Sequence, residues 1–187
     1  AWQAALLVLK EEGAQVVAVD LPRPEEDIYR TVQRPEASLT HMEKGWAPEK
    51  FDLYTESTRT NIEKGQQVLA VDYLRAQHQR RVFSNIVRSV LQHVDALVLP
   101  TMPFPAPTIE QTSQDILIDG VAVFILSLTL PFNLSGLPAV SFPCGFTPNN
   151  LPIGLQVVGK PFEEATILRI AHGYQQLTDW HRREAIQ

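Results

Sequence analysis

Between Asn133 and Gly159 the chain reads NLSGLPAVSFPCGFTPNNLPIGLQVVG. Two short apolar runs, Ala139–Pro143 and Ile153–Val158, flank a segment in which Gly145, Pro148, Asn149 and Asn150 supply turn chemistry. Pro148 presets φ, and Asn tolerates left-handed backbone angles, so the two runs predict a pair of strands joined by a turn. The second run, IGLQVV, is apolar almost without a break. That pattern belongs to a strand covered on both faces, as in the middle of an α/β sheet. A tight Ser-Gly-Leu-Pro corner, Ser135–Pro138, precedes the first strand.

The rest of the chain supplies layers for these strands. It opens within an amphipathic helix, with Trp2, Ala5, Leu6 and Leu9 at helical spacing and no capping side chain ahead of them. Gly13 ends that helix, and Gln15–Asp20 (QVVAVD) reads as a buried strand. A helix feeding a strand is half of an α/β unit, which suggests the tail of something longer. Pro35 suits the first turn of a helix through Glu36–Lys44, while Met42 and Trp46 either pack locally or cover a partner segment. A short helix is expected over Thr55–Gly65, capped by Ser57 or Thr58 and stopped by Gly65. A long one follows over Ala70–Val94, its inner stripe running from Tyr73 and Ala76 through Phe83 and Val87 to Leu91. Arg80 lies on that stripe, as a packed stem with a wet head or as half of a buried ion pair. Asp95–Pro100 reads as a strand, and Thr101–Thr108 as a proline-locked loop leaving its C-terminal end, where α/β sheets place ligands. Ile109–Gly120 reads as a loop, and Val121–Leu130 is open between helix and strand. A last helix, Phe162–Thr178, would turn Ala165, Leu168, Ala171 and Tyr174 inward, ahead of a solvated tail.

A net charge of −5 over 187 residues leaves no electrostatic footprint for nucleic acid. No apolar run reaches the length of a membrane span. A single cysteine rules out an internal disulfide and suits a reducing, cytoplasmic setting. Chemistry is sparse. Cys144 lacks the neighbouring base a nucleophilic thiol needs, and its apolar strand–turn setting suits a small packed residue. The five histidines show no metal-ligand spacing with Cys, Asp or Glu. Ser135 lacks the first glycine of a nucleophile elbow, and no glycine-rich phosphate loop is present. Neither a cofactor nor a metal is expected, and no catalytic constellation is visible.

Several ordered motifs nevertheless share one likeness. NLSGLPAVSFPCG followed by LPIGLQVVGKPFEE closely resembles the C-terminal hallmark of the amidase signature family of serine amide hydrolases. The series Arg59…Gly65…Asp72-Tyr73…Ala76…Arg80, then DALVLPTMPFPAP, and finally PFEEATIL match further family segments in order. The resemblance implies residues 1–187 are the C-terminal portion of a single amidase domain, with a mixed β-sheet flanked by helices on both faces. It also implies hydrolysis of a carboxylic amide by a Ser–cisSer–Lys triad. Those residues belong to a Gly/Ser-rich signature and an upstream lysine, neither of which occurs here, so no catalytic residue is carried over. The expected partners are a small-molecule amide and the N-terminal half of the domain. Expressed alone, the chain would expose apolar faces and aggregate or bind hydrophobic dyes.

By the same resemblance, substrate-pocket candidates are Asn61, Thr101, Met102 and Leu126. The A subunits of tRNA-dependent glutamine amidotransferases, members of the family, carry an Arg and an Asp that align with Asn61 and Leu126. Loss of both charges favours a general amidase acting on a less polar amide over a glutamine-hydrolysing A subunit of such an amidotransferase. A non-catalytic remnant serving as a binding or structural module is the other alternative, and an unrelated α/β binding protein a third.

Overall fold

The computed structural model describes residues 1–111, 117–118, 121–122 and 127–184. In chain order the elements are α1 (Trp2–Glu11), α2 (Glu26–Glu43), α3 (Glu56–Gln66), α4 (Ala70–Leu91) and β1 (Ala96–Pro100). They continue with β2 (Leu117–Ile118), β3 (Val121–Ala122), α5 (Leu130–Ser135), β4 (Ala139–Phe146), β5 (Pro152–Gly159) and α6 (Glu164–Leu177). Two compact units result: residues Ala1–Leu21 with Val87–Gln187, and Pro22–Ile86. Among the described residues, no helix is long and apolar enough to cross a membrane.

The first unit is built on an antiparallel sheet in the order β1-β5-β4. Its central strand is the near-continuous apolar run, and Leu155, Val157 and Val158 are fully buried. One face carries Phe142, Cys144, Leu155 and Val157 against Ala5 of α1 and Ile167, Ala171 and Tyr174 of α6. Burying each aliphatic side chain there contributes roughly 1.5–3 kcal/mol. Phe142 and Tyr174 meet as tilted rings with centroids 5.3 Å apart. On the opposite face Gln156 is buried, and its side-chain amide donates to Leu128 O at 3.1 Å. The β4–β5 turn closes as its residues dictate: Asn150 N–H donates to Thr147 O, and Asn150 takes a φ of 59°. A bulge between Pro143 and Gly145 extends β4 beyond Pro143 to Phe146.

Several expectations are corrected. Residues 15–20 form no strand, and Val16, Val17 and Val19 are exposed: no described strand lies beside them, and an extended run without a ladder partner is not a strand. Residues 117–118 pair with 121–122 as a small hairpin, so neither the 109–120 loop nor the 121–130 run is of one kind. The Ser135–Pro138 corner begins as α5, whose end is set by Gly136 at φ 66°. On α6 Ala171 and Tyr174 face inward as expected, but Ile167 joins them in place of Ala165 and Leu168, which face outward. Beyond it, Arg183 does not simply dissolve into solvent. Its guanidinium lies 4.4 Å from the Phe146 ring centroid and donates to Asn150 Oδ1 at 3.0 Å.

In the second unit α2 begins at Glu26 rather than at Pro35, which sits inside the helix. Buried Ile28 and Val32 on its earlier turns carry the helix through a proline that removes one backbone donor. The cap of α3 is Thr55, not Ser57 or Thr58: its hydroxyl accepts from Thr58 N–H at 3.3 Å. Gly65 is buried within α3 rather than stopping it. Its bare Cα lets α3 approach α2 where the one Ser38 hydroxyl proton has two carbonyl acceptors in reach, Arg34 O (2.8 Å) and Ile62 O (2.7 Å).

Candidate functional site

Of the pocket candidates, Thr101 and Met102 fall in the first unit and Asn61 in the second; Leu126 lies outside the described residues. In the first unit, Thr101 leaves the C-terminal end of β1, its N–H donating to Gly154 O at 2.9 Å. Its hydroxyl meets that of Ser141 on β4 at 2.6 Å. The two hydroxyls approach across Gly154 of β5, where an added Cβ would stand 2.7 Å from Thr101 Oγ1 and 3.2 Å from Ser141 Oγ. A glycine is therefore the condition for the pair. The result is a small hydroxyl patch on the sheet face away from α1 and α6, the face Gln156 also occupies. Met102 follows it, half-buried. Such a patch can donate to or accept from an amide group but holds no charge. Sequence reading reached Thr101 and missed Ser141, which strand alternation alone assigned no partner.

Cys144 lies on the helix-facing side of the same sheet, buried, and burial pushes its thiol pKa up. Tyr174 beside it is raised for the same first reason. A thiol held protonated is a packing group rather than a nucleophile.

The second unit holds a cavity of about 470 Å³ between α2 and α3. Asn61 of α3 lines it together with Tyr29, Arg30, Gln33 and Arg34 of α2. The size is that of a small-molecule site. Arg34, half-buried, donates from Nε to Asn61 Oδ1 at 3.2 Å. His41, at the far end, pairs through Nδ1 with the Tyr54 hydroxyl at 2.7 Å and meets the Trp46 ring edge-on. Glu36, close to Arg34 along α2, is engaged elsewhere: its Oε1 accepts from Tyr73 (2.8 Å) and from Gln77 (3.0 Å). That carboxylate, accepting from the phenol, raises the Tyr73 pKa. Sequence reading named Asn61 and missed Arg34, since a helix begun at Pro35 leaves Arg34 in a loop. Among the described residues no three His, Cys, Asp or Glu side chains gather as a metal site.

The model of the Amidase family matches residues 1–168. The chain is 34% identical to an amidase of Pseudomonas putida over 188 aligned residues, 98% of this chain and 40% of that protein. It is 42% identical to the A subunit of the glutamyl-tRNA(Gln) amidotransferase of Bacillus thuringiensis over 114 residues, 60% of this chain and 23% of that one. A crystal structure of an amidase superposes with a TM-score of 0.79 at 27% identity, covering 94% of this chain and 41% of its own. The helix-and-sheet arrangement expected from the hallmark strands is thus that of solved amidases. The chain spans about two fifths of the length of such relatives, and it belongs to the amidase family.

Proposed function

We propose that residues 1–187 are the C-terminal portion of one amidase domain that hydrolyses a carboxylic amide to an acid and an amine. The observation that carries this reading is the match to the Pseudomonas putida amidase along 98% of the chain and only 40% of that protein. In this reading the chain supplies sheet core and pocket wall: Thr101 and Ser141 offer hydroxyls to the amide, and Asn61 lines the cavity of the second unit. The nucleophile, its relaying serine and the lysine come from the remainder of the domain, since no Gly/Ser-rich signature occurs in these 187 residues. A cytoplasmic setting goes with it, in keeping with one buried thiol.

A second reading, the glutamine-hydrolysing A subunit of a tRNA-dependent amidotransferase, is favoured by the 42% identity over 114 residues. Against it stands Asn61, where the resemblance to those subunits places an arginine. The test is amide hydrolysis over a panel of aliphatic and aromatic amides and glutamine. This chain is assayed alone and mixed with the separately produced remainder of the Pseudomonas putida amidase. That amidase, split at the same point and remixed, serves as the control for reassembly. Turnover of simple amides by the mixture and none by the chain alone is expected. Turnover by the chain alone, or an inactive mixture beside an active control, overturns the proposal; preference for glutamine installs the second reading.

A further inference from the structure

We propose that Phe162, with the outward face of the first turns of α6, is the anchor on which the remainder of the amidase domain seats. The inference rests on the amide-hydrolase reading and names a contact between this chain and that remainder. β5 ends at Gly159 and α6 begins at Glu164, so the chain reverses within four residues. The turn is residues 160–163, closed by Glu163 N–H donating to Lys160 O at 3.1 Å. Pro161 holds its second position and Phe162 its third, at a φ of 64°. That is the arrangement of a type II turn, whose third position takes glycine or asparagine. A bulky aromatic residue there strains the backbone. The approach to the turn is fixed: Gly159 N–H donates to Pro138 O at 2.9 Å, and a Cβ on Gly159 would stand 2.7 Å from Ile167 Cγ2.

Nothing among the described residues repays that strain. The Phe162 ring is 94% exposed, more than any other large apolar side chain described. A left-handed backbone and a wet aromatic ring fall on one residue, and glycine or asparagine would avoid both. α6 continues the pattern, because Ile167 is buried against the sheet while Ala165 and Leu168 are exposed. A helix with apolar residues on two faces is one that is covered on both. The occupant follows from length: the chain spans about two fifths of its relatives, so the greater part of such a domain lies outside it. A covering surface within the same domain is present at high effective concentration, which suits a ring too costly to leave in water. Glu163 and Glu164, directly after the ring, set it apart from an anchor for anionic lipid.

The test refolds the chain together with the separately produced remainder of the Pseudomonas putida amidase, under conditions in which that amidase, split at the same point, reassembles. Hydroxyl-radical footprinting reads Phe162 directly, and its oxidation in the assembled pair should be strongly suppressed relative to the urea-unfolded chain. The dissociation constant is then read by diluting the pair, labelled on its two pieces, and following energy transfer. Phe162→Asn, which suits the turn better but removes the ring, should weaken association about tenfold to a hundredfold, the range of a buried aromatic anchor. Phe162→Leu, apolar at the same backbone angle, and Leu168→Ala should fall between. A residue that served only the turn would give the opposite sign for Phe162→Asn, since asparagine relieves the strain. Phe162 oxidised in the pair as in urea, or Phe162→Asn associating as tightly as the unaltered chain, overturns the proposal. Self-association of the chain that competes with the remainder and is abolished by Phe162→Asn overturns the occupant in favour of a second copy. Association indifferent to Phe162 leaves amide hydrolysis standing, and no association at all removes both. Assembly that depends on Phe162 but turns over no amide supports the contact and counts only against the hydrolysis.

Discussion

Replacing Gly65 by alanine should separate α2 from α3, although the same change in an open helix is stabilising. An alanine gains about 1 kcal/mol of helix propensity over glycine. At Gly65, however, the new methyl would stand 2.6 Å from the carbonyl carbon of Arg34, and nearer still to its oxygen and to Ser38 Oγ. Two of those three atoms are backbone, so no rotamer change relieves the contact. Overpacking of this kind costs roughly 1–3 kcal/mol. Displacing Ser38 from one of its two carbonyl acceptors, Arg34 O or Ile62 O, costs about 1 kcal/mol more. The net expectation is a loss of about 2 kcal/mol. Gly173 in α6 is the matched control, since an added Cβ there meets nothing within 4 Å. Gly173→Ala should stabilise by about 0.5–1 kcal/mol. Both variants are to be followed by urea unfolding with far-UV circular dichroism in the chain reassembled with the separately produced remainder of the domain, and amide exchange will locate the change within α2 and α3. Equal signs for the two substitutions, or a neutral Gly65→Ala, would refute the close-approach argument.

Further outcomes follow from the same geometry. Gly154→Ala should push Thr101 and Ser141 apart at a cost of roughly 1–3 kcal/mol, visible as a lower urea midpoint and as faster exchange at the β1–β5 edge. Thr55→Ala removes the hydroxyl that accepts from Thr58 N–H and should cost about 1 kcal/mol, whereas Ser57→Ala should cost nothing measurable by the same assay. Cys144 should resist iodoacetamide in the folded chain and react only on unfolding. Its folded pKa lies above the unfolded value, so the stability it contributes is complete below about pH 8.5 and is lost as pH rises through the folded pKa. Cys144→Ala should therefore flatten the alkaline loss of stability, leaving the later slope due to Tyr174.

What could be seen in the sequence divides by how local the determining physics is. The β4–β5 hairpin was legible because Pro148, Asn149 and Asn150 carry their own turn, and β5 because its burial on both faces leaves a bare apolar run. Residues 15–20 look like a strand by composition, yet strand formation needs a neighbour, and composition does not say whether one is present. Pro35 misled for a related reason: its local preference is a helix start, but Ile28 and Val32 buried on the preceding turns outweigh it. On α6 Ala171 and Tyr174 were legible, but on the earlier turns Ala165 with Leu168 and Ile167 are apolar alternatives on different faces. The sheet chose between them. For the sites, Asn61 came from family likeness and Thr101 also from its place beyond a strand's C-terminal end, while Arg34 and Ser141 became visible only when distant segments met. Arg34 and Asn61 are 27 residues apart, and Thr101 and Ser141 are 40 apart.

The buried amide of Gln156 gives β5 something its neighbours cannot. A strand whose side chains are apolar on both faces contains almost no information about its own phase, because sliding it by one place exchanges one greasy surface for another. Gln156 breaks that degeneracy. In the observed phase its Nε2 reaches Leu128 O; one place either way, it would enter the layer of Phe142, Ile167 and Tyr174 with no acceptor. An amide stranded there costs about 1–3 kcal/mol, enough to depopulate the slipped arrangement roughly fivefold to a hundredfold. Phase in turn decides which residue stands between Thr101 and Ser141, and only glycine leaves room for both hydroxyls. One polar side chain in the middle of the sheet thus acts as the alignment mark for the Thr101–Ser141 hydroxyl pair.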